Sequence, residues 1–64
     1  MDTADLTRMA NQIADYFSAY GHEEAVAGID DHIQKFWEPR MRRGLLDHVS
    51  AGGGGLDPLV IEAA

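Results

Sequence analysis

A chain of 64 residues has room for one small domain. Such a chain buries only about 60% of the surface its unfolded form exposes, so it leans on disulfides, a metal, unusually good packing or a partner. Cysteine is absent, which excludes disulfides, thiolate zinc sites and cysteine-held iron–sulfur clusters. Five Lys or Arg against eleven Asp or Glu give a net charge of −6, a field that repels nucleic-acid phosphates and anionic membranes, while 45% apolar residues are too many for a disordered acidic tail.

The opening Met1-Asp2-Thr3-Ala4-Asp5 carries two acids where an export signal carries bases. No apolar run approaches the roughly 18 residues of a membrane span, so a cytoplasmic setting is expected, in keeping with the lack of cysteine. From Leu6 the apolar positions Met9, Ala10, Ile13, Phe17 and Tyr20 follow at steps of three and four, the spacing of one helix face. This predicts a helix over about 5–20, capped by Thr3 or Asp5 and closed by Gly21 as a C-terminal glycine. A second helix is predicted over about 23–37, with Glu23 and Glu24 in its first turn and Val26, Ile29, Ile33, Phe36 and Trp37 facing inward. Gly28 inside it costs up to about 1 kcal/mol relative to Ala, which suggests a close contact between helices.

Pro39 disfavours helical geometry at Glu38 and suits the first turn of a third helix, 39–50, with Met41, Leu45, Leu46 and Val49 at helical spacing. Gly52-Gly53-Gly54-Gly55 reads as a flexible joint. Beyond it, Asp57-Pro58 signals the cap and first turn of a short helix over about 57–63, an extended arm being the alternative. The expected fold is all-α: one domain, 1–64, of three helices with a glycine-rich hinge and a short C-terminal helix or arm.

Chemistry is hard to find. His22, His32 and His48 have no Asp, Glu or His three or four residues away, so no helix turn presents a paired metal site. The doublets Glu23-Glu24 and Asp30-Asp31 point their neighbours in different directions and form no carboxylate clamp. Ser18 and Ser50 stand in no nucleophile motif, and the glycines lack the lysine of a phosphate loop. The most specific local feature is Lys35, Arg40, Arg42 and Arg43 interleaved with Phe36, Trp37 and Met41. A nucleic-acid patch and a solvated arginine face over an ordinary core are both readings of it, but Trp, Arg and Met together favour a protein interface.

Three blocks, Arg8-Met9-Ala10-Asn11-Gln12-Ile13-Ala14, the run from Gly28 to Arg42 and Gly55-Leu56-Asp57-Pro58-Leu59-Val60, resemble the delta subunit of cytoplasmic NAD-dependent formate dehydrogenases. The likeness runs from about Leu6 to Ala63. It implies a non-catalytic accessory subunit of a complex that oxidises formate. There an alpha subunit holds a molybdenum or tungsten pterin and iron–sulfur clusters, beta and gamma subunits carry FMN, further clusters and the NAD site, and the delta subunit carries no cofactor. The expected role is to bind and stabilise the alpha subunit, through an anchor of Phe36, Trp37, Arg40, Met41 and Arg43 and a second contact from Leu56, Asp57, Pro58 and Leu59. The alternatives are a transient assembly chaperone for cofactor insertion and, from a different class, a small helical regulator binding nucleic acid.

Overall fold

The computed structural model describes residues 2–64 and contains four helices among them: α1 (Thr3–Phe17), α2 (His22–Phe36), α3 (Pro39–Ser50) and α4 (Pro58–Ala63). The all-α expectation holds, and the C-terminal piece is a helix rather than an extended arm. Asp2 is the cap of α1: its backbone is extended and its carboxylate accepts the Asp5 N–H at 2.9 Å, whereas Thr3 and Asp5 already lie inside the first turn. That oxygen satisfies one of the donors a helix start leaves free. At the other end α1 stops at Phe17 rather than running to Tyr20. The Ser18 hydroxyl donates to the Asp15 carbonyl at 2.7 Å, competing for the acceptor that would extend the helix.

Gly21 therefore does not close α1. Its φ of −60° and ψ of 158° make it the N-cap of α2, and its carbonyl accepts from the Ala25 N–H. Ala25, Ile29 and Ile33 form the buried stripe of α2. Phe36 does not continue that stripe. The helix ends there, and the extended backbone of Trp37 turns the indole inward, leaving it 6% exposed while Phe36 is 72% exposed. Val26, also expected inside, is half-buried. Gly28 meets the expectation of close approach: a Cβ there would stand 2.5–2.9 Å from three atoms of the Phe17 ring.

In α3 only Leu45 is fully buried; Met41 and Val49 pack partly against the core and Leu46 faces outward. The segment after α3 is a tied corner rather than a free joint. Gly53 sits at φ +65°, a conformation costly for any residue with a Cβ, and its N–H returns to the His48 carbonyl at 2.8 Å. His48 Nε2 donates to the Gly54 carbonyl at 2.7 Å, which places the ring hydrogen on that nitrogen. Asn11 of α1 holds the far side of the corner: its amide NH₂ donates to the Gly55 carbonyl and its oxygen accepts the Asp57 N–H, both at 2.8 Å. Its side chain thus takes the place of a peptide group between segments more than forty residues apart.

That clamp aims α4 back across the bundle. Asp57 caps the helix by accepting the Leu59 N–H at 2.9 Å, Pro58 occupies its first turn, and Val60 is completely buried against α1 and α2. The core is one cluster built from Leu6, Ala10 and Ala14 of α1, Ile29 and Ile33 of α2, Trp37, Leu45, Leu56 and Val60.

Candidate partner-docking site

Where α2 ends and Trp37 turns inward, Phe36 overhangs a gap beside α1. The result is an open groove of about 600 Å³, walled by Met9, Gln12, Ile13, Tyr16 and Phe17 on one side and His32, Phe36 and Trp37 on the other. Aromatic rings hold one another in place along it. His32 lies 4.8 Å from Phe36 between centroids, and Tyr16 meets Phe17 edge-on at 5.0 Å and 88°. Phe17 in turn rests on Gly28, so the depth of the groove depends on a position with no side chain. Tyr16 is 70% exposed and Phe36 72%, each leaving most of a large apolar ring in water. Gln12, His32, the Tyr16 hydroxyl and the Trp37 indole are the polar-bearing side chains of this mainly apolar lining.

The residues expected to form the anchor therefore divide. Phe36 is open and stands at the groove mouth, while Trp37 is spent on the chain's own core and offers only an edge to the groove floor. Arg40 and Arg43 are exposed on the outer face of α3, and Met41 is half-buried. Arg42, which the nucleic-acid reading would place on phosphates, is occupied: its guanidinium donates to the Gln34 carbonyl and side-chain oxygen, both at 3.1 Å. With Trp37 buried as well, one of the arginines and the indole of that reading are engaged within the chain, while Arg40 and Arg43 stay open.

The second expected contact is also largely internal. Leu56 belongs to the core, Asp57 is the α4 cap and Leu59 is half-buried, which leaves Pro58 exposed. Sequence reasoning missed Tyr16, His32 and Gln12 as groove residues and Asn11 as the clamp. Tyr16 carried a signal: placed beside Phe17, it widens the apolar arc past what a single buried stripe needs. Asn11 carried none, since its partners lie at the other end of the chain.

Among the described residues no three His, Asp or Glu side chains converge to a metal-binding group. Carboxylates instead serve local pairs, Arg8 with Asp5 at 3.3 Å and Lys35 with Asp31 at 3.2 Å. Across the bundle, His22 Nε2 donates to the Glu62 carboxylate, 2.9 Å away at its nearer oxygen, joining the start of α2 to α4. That hydrogen bond, aided by the carboxylate's charge, raises the His22 pKa above its usual 6.5.

No helix of the described residues is long and apolar enough to cross a membrane. Among known families, one described as the NADH-dependant formate dehydrogenase delta subunit FdsD matches residues 5–64, nearly the whole chain. Neither a curated protein nor a solved structure matches it.

Proposed function

Because the chain belongs to the FdsD family of NADH-dependent formate dehydrogenase delta subunits, we propose that it is a non-catalytic accessory subunit that binds and stabilises the catalytic alpha subunit of that enzyme. In this reading the molybdenum or tungsten pterin, the iron–sulfur clusters and the FMN belong to the alpha, beta and gamma subunits, and the assembly works in the cytoplasm without nucleic acid or membrane.

The observation that supports the reading is the pair of exposed rings, Phe36 and Tyr16, around one apolar groove. Covering a large apolar side chain is worth about 1.5–3 kcal/mol, so a free protein that leaves two of them open forgoes stabilisation that a partner surface recovers. Aromatic rings in a concave site are also the residues that dominate protein contacts energetically.

The test is co-expression with a tagged alpha subunit, comparing the parent chain with the double variant Phe36→Ala, Tyr16→Ala. Both rings are exposed, so the variant keeps its fold by far-UV circular dichroism while its recovery with the alpha subunit falls severalfold. Undiminished recovery refutes the placement. The same preparation distinguishes a lasting subunit from an assembly factor: a subunit stays with the mature, active enzyme, whereas an assembly factor appears only on alpha subunit that lacks its pterin.

A further inference from the structure

The surface charge is unevenly divided. The residues of α1, α2 and α4 with their caps hold nine acids against Arg8 and Lys35, whereas α3 and its cap hold three arginines against Glu38 and Asp47. Of the five cations, Arg8, Lys35 and Arg42 are each engaged within the chain. Among the described residues the side chains of Arg40 and Arg43 make no hydrogen bond or ion pair, and both are exposed. They sit three apart on α3 and therefore share one face. Arg40 follows Phe36 by only four residues, so the chain keeps their backbones within about 14 Å of each other. Arg40 and Arg43 thus form a ledge of two free guanidinium groups on α3 that begins four residues along the chain from Phe36 at the groove mouth.

Resting on the reading above, the geometry points to one occupant: an amphipathic segment of another subunit of the enzyme that seats a large apolar side chain between Phe36 and Tyr16 and brings Asp or Glu side chains onto Arg40 and Arg43. A helix rises about 1.5 Å per residue, so three turns span the distance from groove to ledge. Guanidinium groups take carboxylates in paired hydrogen bonds, which fixes direction as well as position. Elsewhere the acidic face of α1, α2 and α4 repels the same carboxylates. The segment is consequently admitted in one polarity, with its acidic end toward α3.

The assembled complex carries the test. A photoreactive benzophenone residue is placed at position 36 of the full chain, and separately at position 27, which is exposed on the opposite face of α2. Irradiation, followed by mass spectrometry of the adduct, is expected to join position 36 to a single segment of another subunit that bears apolar residues and at least one Asp or Glu within three turns. Position 27 is expected to give no adduct with that segment. The double variant Arg40→Glu, Arg43→Glu lowers the position-36 adduct on the order of tenfold, since two attractions become repulsions. An adduct with a second copy of this chain, a segment without acids, or a yield unaffected by charge reversal overturns the inference. If the chain remains in the purified enzyme yet position 36 forms no adduct, the groove assignment fails and the subunit reading stands. If the chain is absent from the enzyme, both fall.

Discussion

Replacing Asn11 tests whether one side chain locks the C-terminal helix in place. Asn11→Ala removes two hydrogen bonds of 2.8 Å and leaves the part-buried Asp57 N–H without its acceptor. At about 1 kcal/mol net for each bond, with a further penalty for the stranded donor, the expected loss is about 2–3 kcal/mol. A domain of this length has roughly 3–10 kcal/mol in total, so about a fifth of its stability or more is at stake. The unfolding entropy of a chain this size turns 2 kcal/mol into a fall in melting temperature of about 15 °C. Urea unfolding followed by circular dichroism at 10 °C, with an unchanged slope, measures it.

Asn11→Asp sharpens the result. An ionised carboxylate accepts from the Asp57 N–H but faces the Gly55 carbonyl with no hydrogen to donate. Below about pH 4 the protonated carboxyl group restores both roles, and the variant gains on Asn11→Ala. A loss under about 0.5 kcal/mol for Asn11→Ala, or parallel behaviour of the two variants at every pH, refutes the clamp.

Three other expectations follow from the same geometry. Gly28→Ala gains up to about 1 kcal/mol of helix propensity, yet its new methyl group meets the Phe17 ring; a net loss of about 1–2 kcal/mol is expected. A variant more stable than the parent would show that the ring swings aside freely. Trp37→Ala and Phe36→Ala should separate stability from docking: the first empties a core position and loses about 3–5 kcal/mol, a large part of the total, whereas the second changes unfolding by about 0.5 kcal/mol or less. Comparable effects in a denaturation series would contradict their assigned burial. The His22–Glu62 contact raises a histidine pKa on folding, so its stabilisation is fully present below pH 6.5 and disappears as pH rises through the higher folded value. Thermal melts between pH 5.5 and 8.5 should show a decline that Glu62→Gln removes, and a decline of equal steepness in Glu62→Gln would assign it to another group.

The helices themselves were readable because their signals are local. Leu6 and Ala10, Ile29 and Ile33, and Leu45 fall on the faces that spacing alone assigns them, and Pro39 and Pro58 open the helices that follow them. What could not be read depended on where a helix stops. Phe36 and Trp37 look equivalent in sequence, yet one residue of extended backbone at position 37 sends the indole inside and leaves the phenyl ring in water. The groove beside α1 is made by that choice. The four glycines read as slack because glycine permits many conformations; here positive φ at Gly53 and the clamp from Asn11 use that freedom to make a tight corner. Capping shifted for a similar reason, since Asp2 and Ser18 compete for backbone groups with neighbours that look equally suited.

The two rings left uncovered beside α1 also shape the life of the polypeptide before it meets anything. Unaccompanied copies offer each other a sticky face, and what keeps them dispersed is the mutual repulsion of molecules that each carry a net charge of −6. Salt weakens that repulsion and leaves the apolar attraction intact. On the subunit reading, copies made in excess of their partner keep that face uncovered, so the surface itself favours matched production of the components.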